Sequence, residues 1–434
     1  MAQELIQVKV RNPLIKILML LLLIVAGIWS YFAVSWYLGN TFAEYFDPTE
    51  SRFDVAHRAM SMAPSDPLTR WRMAEVSLKN LPLDRQSEAI AEYEKAVSLS
   101  PNDYRYWMSL GTAYERAGES AKAEEALKRA VALAPSYAYP HWFLGNLLLR
   151  NARYDEAFAE LRLASAADSE FQPQQFNLVW AIYSDDPEAL KNAVGPTSAA
   201  RAAFALYLLS QKQFEAGLRL WNALGNEEKK ANKDTAAEII TSLASNYRFH
   251  DALNVWNDIA NEKYRTEIGR VFDGSFEEDV EYAPEVLFGW QIRNAPQMQI
   301  GIDPNRNHGG ARSLKLMFQV RSNLSEVHVF QLVPVQPRTE YDVEWYVSTD
   351  QLETGRAPQV DILDPTTNGV LVSSPTAPRG TSNWNRVSFS FKTGETTEAV
   401  TIRIVRFSCA DENTPVCPIF GSVWYDNFSI KRRN

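Results

Sequence analysis

The side chains in this sequence that invite a chemical reading are carboxylates. Glu277, Glu278, Asp279, Glu281 and Glu285 form an acidic run, and Asp361 and Asp364 form a spaced pair. Two carboxyls facing each other across a cleft at a set separation would hydrolyse a glycosidic bond. Neither set has that arrangement: the run reads as a solvated loop, and Asp361-Ile-Leu-Asp364 reads as a strand end before a turn at Pro365. Nucleophilic catalysis needs a Ser or Cys beside an activating base, and none of the five His stands in such a motif. His57, His141 and His250 read as packing or surface residues, with no two at a helical metal spacing. The zinc-protease, phosphate-loop and nucleophile-elbow patterns are missing. The expectation is a non-enzyme without a catalytic cofactor.

The two cysteines bear on location. Cys409 and Cys417 lie eight positions apart in FSCADENTPVCPIF, around a polar loop containing Pro415. A strand pair or a loop closure would bring them into disulfide reach; the other reading is two small thiols that never meet. A disulfide belongs to an oxidising compartment. The charge balance excludes another class: 53 acids against 44 Lys and Arg give a net charge of -9, a poor match to a phosphate backbone, so no nucleic-acid partner is expected. The 434 residues, 46% of them hydrophobic, have room for two or three domains with sizeable cores.

Compartment is set by the first forty residues. Ile17 to Leu38 is a run of 22 residues without a charge, long enough to span a bilayer as one helix. Trp29, Tyr31, Trp36 and Tyr37 crowd its distal half, Lys9, Arg11 and Lys16 precede it, and Glu44, Asp47 and Glu50 follow it. That asymmetry keeps the amino terminus cytoplasmic. The competing reading is a cleaved signal peptide, with Ala33-Val34-Ser35 as the small residues of the cleavage site. Under either reading the chain after residue 40 crosses the membrane.

The middle of the chain repeats. Leu110-Gly111 recurs as Leu144-Gly145 and Pro101 as Pro135, both at a spacing of 34. Trp107, Leu110 and Tyr114 make one helical face, Gly111 and Ala123 let two helices approach, Ala130 keeps the next contact small, and Pro135 stops the second helix. These seven positions, with Leu127 as the eighth, resemble the tetratricopeptide repeat signature. A weaker copy keeps Leu144, Gly145, Ala157, Leu161 and Ala164 but has His141 in the aromatic position and Ser169 for the proline. An earlier copy runs from Trp71 through Ala89, Tyr93 and Ala96 to Pro101, with NLPLDR lengthening its turn; residues 53–64 before it read as a degenerate second helix or a cap. Phe214, Leu218, Leu220, Trp221 and Asn222 recur as Phe249, Leu253, Val255, Trp256 and Asn257 at a spacing of 35, so a divergent array is expected to about residue 265. Trp71, Trp107, Trp221 and Trp256 read as packing residues. Stacked hairpins form a superhelix whose concave face receives a peptide or protein.

After Tyr264 the helical period stops. Alternating runs at Ser313–Val320, Val327–Val333, Tyr341–Ser348, Gln359–Leu363, Asn385–Lys392, Ala399–Phe407 and Val423–Lys431 predict an all-β sandwich. FDGSFEE from 272, GW from 289, GGARSLKLMF from 309, QLVPVQPRTEYDVEWYV from 331, WNRVSFSFKT from 384 and VWYDNFSIKR from 423 together resemble the galactose-binding-like jelly roll of carbohydrate-binding modules, families four, nine and twenty-two. The resemblance implies a structural calcium held by the Ser275 carbonyl, Glu277 and Asp426, against the reading that these carboxylates only bond strand ends. It also implies a sugar surface of flat rings and planar polar groups, with Trp290, Tyr282, Tyr346, Gln331 and Arg403 as candidates. Trp345, Trp384 and Trp424 are assigned to the core, from apolar residues at two-residue spacing.

The organisation expected is therefore a cytoplasmic arm and single transmembrane anchor at 1–40, an all-α tetratricopeptide-type superhelix at 41–268, and an all-β jelly-roll sandwich at 269–434. By analogy with bacterial accessory proteins, the reading is a non-catalytic scaffold on the inner membrane with its bulk in the periplasm. Its repeats dock protein partners and its jelly roll binds carbohydrate, in envelope or exopolysaccharide assembly. The alternative is a pure protein-interaction subunit whose sandwich binds no sugar.

Overall fold

The computed structural model describes residues 13–45, 52–80, 86–278, 287–293, 298–318, 329–407, 409 and 417–433. The chain forms two compact units, Met1–Gly195 and Pro196–Asn434.

The first unit opens on α1 (Pro13–Glu44), a single 32-residue helix long and apolar enough to cross a membrane. Its large apolar side chains from Leu14 to Val34 are exposed, whereas Gly39 and Ala43 in its last turns are buried. It is followed by α2 (Phe53–Met62), α3 (Pro67–Asn80), α4 (Gln86–Leu99), α5 (Tyr104–Arg116), α6 (Ser120–Leu133), α7 (Ala138–Arg150), α8 (Tyr154–Ala167), α9 (Gln172–Tyr183) and α10 (Pro187–Val194). Helices α3 with α4, α5 with α6 and α7 with α8 pack as successive hairpins. The glycines of the repeat set this spacing: a Cβ on Gly111 would stand 2.6 Å from Leu127 Cγ, and one on Gly145 would stand 2.8 Å from Leu161 Cγ. Asp103 caps α5 by accepting the Arg105 N–H at 3.0 Å.

The second unit begins with α11 (Ser198–Ser210), α12 (Phe214–Asn222), α13 (Asn226–Ala231), α14 (Lys233–Ser245) and α15 (Phe249–Ile259). These continue the hairpin pattern beyond the recognisable repeats. Trp221 is wholly buried, and its indole N–H donates to Asp258 Oδ2 at 3.0 Å, which also accepts Lys229 Nζ at 2.9 Å. Among the described residues ten strands follow: β1 (Gln291–Ile292), β2 (Met298–Asp303), β3 (Ser313–Phe318), β4 (Val329–Pro334), β5 (Glu340–Thr354), β6 (Gln359–Asp364), β7 (Gly369–Ser373), β8 (Gly380–Lys392), β9 (Ala399–Val405) and β10 (Ile419–Arg432). They form two five-stranded antiparallel sheets, ordered β1-β4-β9-β6-β7 and β2-β3-β10-β5-β8. Alternate residues such as Val343, Trp345, Val360, Ile402, Val423 and Tyr425 fill the space between them. The seven expected strands are present; β1, β2 and β7 escaped the pattern because they are short or Gly-interrupted, with weak alternation.

The change from helix to strand near residue 269 does not divide the compact units. Phe288 joins the core of α11 to α15, and Leu332 of β4 packs against that core. His250 on α15 donates its backbone N–H to Glu398 at 3.0 Å and places Nε2 2.8 Å from the Val335 carbonyl. The last hairpins and the sandwich thus share one interior.

Candidate functional site

Two regions bear on function. The first lies in the first unit, between the leading helices of successive hairpins. These helices are held in line by bonds that reach across repeats: Trp71 Nε1 donates to Ser109 Oγ at 2.9 Å, linking α3 to α5. Within α5, Trp107 Nε1 donates to the Pro101 carbonyl at 2.9 Å. In the next repeat His141 stands in the aromatic position, and its Nε2 lies 3.0 Å from the Pro135 carbonyl, the same bond one period later; its Nδ1 faces Glu160 at 2.6 Å. The imidazole is therefore a packing residue that preserves the bond a tryptophan makes.

Along α5 and α7 this framework leaves an open groove of about 490 Å³. Trp142 and Phe143 give it partly exposed aromatic surface, Thr112 and Asn146 are neutral polar groups, and Glu115 and Arg150 pair with each other at its side. Asn146 Nδ2 donates to the Trp142 carbonyl at 2.8 Å. Arg116 is exposed at the groove and has no hydrogen-bond or ion-pair partner among the described residues. A smaller depression of about 190 Å³ continues it past Met108 and Ser109 to Glu75 and Lys79. Tyr93 lies at its base, its phenol pushed above the ordinary range by burial. An elongated groove with aromatic surface, amide groups and a free guanidinium can hold an extended peptide. Apart from Tyr93, named only as a repeat position, none of these residues was singled out from the sequence. Their signal was present, since Met108 and Trp142, Ser109 and Phe143, Thr112 and Asn146, and Arg116 and Arg150 are all separated by the repeat spacing of 34.

The second region is the sandwich, where the sugar candidates do not meet. Trp290 is wholly buried, its indole between Phe276 and Phe428 at 5.2 and 5.0 Å and its N–H donated to the Asp273 carbonyl at 3.1 Å. A ring with no exposed face cannot stack on a pyranose, so its reading as a sugar platform is corrected to a core residue. Gln331 is also wholly buried; its amide accepts the Phe272 N–H at 3.0 Å and donates to the Phe272 carbonyl at 2.8 Å, which clamps the segment leading into the sandwich. It is not a sugar ligand. Arg403 lies on the first sheet, bonded at 3.1 Å to a fully buried Asp361 that also accepts Gln359 at 2.9 Å. Tyr346 lies on the outer face of the second sheet, with His308 stacked on its ring at 3.6 Å. These two residues therefore belong to different sheets, and Tyr282 falls outside the described residues. Asp364 accepts Thr397 Oγ1 at 2.6 Å, so the Asp361 and Asp364 carboxylates are each held by structural bonds.

Two core assignments also change. Trp384 is an odd number of residues from Val387, Phe389 and Phe391, so it falls on the outer face, partly exposed and 5.9 Å from His308. Trp424 alternates with Val423 and Tyr425 and likewise points outward. It is covered there by Arg306 at 4.3 Å and Lys315 at 5.0 Å, and donates to Asp303 at 2.9 Å. Trp345 does lie in the core.

The segment carrying Ser275 and Glu277 meets the closing strand. The Phe428 N–H donates to the Gly274 carbonyl at 2.8 Å, and Asp273, Phe276 and Asn427 adopt positive φ of 43°, 57° and 56° to make the crossing. Glu277 Oε1 accepts the Ala311 and Arg312 N–H groups at 2.8 and 3.0 Å; Asp426 accepts those of His308 and Asn427, both at 2.7 Å. Burial, with the negative charge of Glu277 adding to it, raises the Asp426 carboxyl to about 6 against the pull of those two N–H groups. The donor set is all oxygen, and two carboxylates repel there. Cys409 and Cys417 are joined by a disulfide.

Comparison with known proteins adds the following. Residues 81–103 and 104–137 match the tetratricopeptide repeat family model. Curated relatives are Superkiller protein 3 of Schizosaccharomyces pombe, 27% identical over 128 residues, which are 29% of this chain and 9% of the relative, and Superkiller complex protein 3 of Mus musculus, 26% identical over 26% of this chain and 7% of the relative. The chain thus spans less than a tenth of the length of these relatives. Among solved structures, the CBM22-1-GH10 modules of Clostridium thermocellum xylanase 10B complexed with xylohexaose are 17% identical over 38% of this chain and 29% of that one, with a TM-score of 0.27. YrrB, described as a TPR protein with an unusual peptide-binding site, is 15% identical over 47% of this chain and 89% of its own, TM-score 0.25. MamA from Desulfovibrio magneticus RS-1 is 15% identical over 37% and 90%, TM-score 0.30.

Proposed function

We propose that this chain is a membrane-anchored, non-catalytic docking protein whose tetratricopeptide repeats receive an extended segment of a protein partner in the groove between α5 and α7. The observation that carries this reading is the groove itself, with Trp142 and Phe143 beside Arg116, which is unpaired among the described residues. Helix α1 serves as the anchor, with residues 17–38 in the bilayer and the bulk of the chain beyond it. A photo-crosslinking residue at Asn146, used in the full chain in its native membrane, tests the reading. A protein adduct that disappears in Trp142→Ala and Arg116→Glu, with melting unchanged, supports it; an adduct indifferent to both substitutions rejects it.

The sandwich has two readings. Its shared interior with α11 to α15 favours a structural cap on the array that binds no sugar. A carbohydrate role in envelope or exopolysaccharide assembly draws its support from the outer face of the second sheet, where the partly exposed Trp384 lies near His308 and Tyr346, beside the Arg386 and Glu344 pair at 3.2 Å. Retention on a defined glycan that is lost in Trp384→Ala selects the second reading; no retention on a broad glycan array selects the first. A structural calcium would be held by Glu277, Asp426 and the Ser275 carbonyl, where a hard cation would neutralise the two repelling carboxylates. The backbone N–H groups already bonded to both carboxylates would orient them for it.

A further inference from the structure

Helix α1 does not end at the membrane and hand over to a linker. It continues without a break to Glu44, and its last turns form part of the helical array. A Cβ on Gly39 would stand 2.8 Å from both the Ala59 carbonyl oxygen and Ala63 Cβ, so α2 lies directly against it. Ser35 Oγ donates to the Met62 carbonyl at 3.1 Å, Asn40 Nδ2 donates to Asp66 at 2.9 Å, and Arg72 Nε donates to the Ala43 carbonyl at 3.0 Å. The turn between α2 and α3 is therefore level with residues 35 to 40 of α1.

That level is the edge of the bilayer. The charge-free run Ile17 to Leu38 rises about 33 Å at about 1.5 Å per residue, against a hydrocarbon thickness of about 30 Å. Ser35 then lies within one helical turn of the distal boundary. If α1 sits one turn further out, with Lys16 reaching back to its own headgroups, Ser35 still falls in the headgroup layer. The exposed Trp36 and Tyr37 mark the same level.

We infer that the α2–α3 turn is a second membrane contact, resting in the phospholipid headgroup layer and fixing the array rigidly on the bilayer. Its chemistry suits that layer. Ser61, Pro64 and Ser65 are exposed and uncharged, and Asp66 is buried and bonded to Asn40 and to the first turn of α3. The guanidinium of Arg58, one helical turn before Met62, is exposed without a hydrogen-bond or ion-pair partner among the described residues, and a lipid phosphate is its natural counter-ion. The inference rests on α1 being a membrane anchor.

The test uses the full chain in phosphatidylcholine–phosphatidylglycerol vesicles, with an environment-sensitive fluorophore on Pro64→Cys, on Val25→Cys in mid-span, or on Lys128→Cys in the array. Nitroxide lipids spin-labelled at the headgroup or deep in the acyl chain serve as quenchers. The expected result is loss of most Pro64→Cys fluorescence to headgroup nitroxide and little to the deep one. Val25→Cys responds to the deep quencher and Lys128→Cys to neither. Pro64→Cys as insensitive as Lys128→Cys, with Val25→Cys still quenched, overturns the inference. An unquenched Val25→Cys overturns the anchor itself.

Discussion

Gly274 is the residue on which the closure of the sandwich turns most sharply. A Cβ there would stand 2.0 Å from the Phe428 carbonyl oxygen and 3.0 Å from its carbon. Both obstacles are backbone of the long strand β10, at the irregularity between Asp426 and Ser429, and the pairs of those two residues with β5 hold the segment from either end. Gly274 does not occupy the positive-φ region, so Gly274→Ala tests the contact and not backbone strain. The chain must separate at this point, which breaks the Phe428 N–H bond to the Gly274 carbonyl. A stranded buried N–H costs about 1–3 kcal/mol and overpacking a further 1–3, so the loss is about 2–6 kcal/mol. For a unit of this size that is a fall of roughly 5–20 °C in melting temperature. The control is Gly301→Ala in β2, where a Cβ meets nothing within 4 Å; it should leave melting unchanged or raise it slightly. Differential scanning calorimetry of the full chain in detergent reads both. A Gly274→Ala protein that melts with the wild type, or a Gly301→Ala protein that falls as far, refutes the reasoning.

Three further outcomes are expected. Because burial raises the Asp426 carboxyl from 3.8 to about 6, its contribution to stability is present below about pH 4 and lost as pH rises through about 6. In EDTA the transition of the second unit should therefore fall between about pH 4 and about pH 6 and level off above that, and added calcium should remove the fall; a flat EDTA profile contradicts the assignment. Tyr425 is 1% exposed and its hydroxyl has no partner among the described residues, so Tyr425→Phe should leave urea stability equal or raise it by about 1 kcal/mol, and a loss of that size would reveal a bond to this hydroxyl. A fragment of residues 271–434 should be less stable than one of residues 196–434. It uncovers Phe288, which is 2% exposed and whose burial alone is worth about 1.5–3 kcal/mol. Equal melting of the two fragments would mean that α15 adds nothing to the sandwich.

The sequence by itself determined the elements and their kinds, because these depend on local periodicity. A charge-free run specifies a membrane-length helix wherever it sits. The Leu-Gly recurrence at 110 and 144 specifies close-packed hairpins, because only glycine fits opposite Leu127 and Leu161. Period-two patterns specified seven strands. Tertiary structure decided which surfaces remain for ligands. Trp290 follows a glycine in a loop-like stretch, as a sugar platform would, yet it is enclosed by Phe276 and Phe428 from segments more than ten residues to one side and more than a hundred to the other. Trp384 read as core until the register of β5 with β8 put it on the face opposite Val387. The groove of α5 and α7 arises from the same spacing that revealed the repeat, but which residues line it follows from hairpin stacking. Exposure is a property of every segment that passes nearby, and those neighbours are set by long-range packing that no local period encodes.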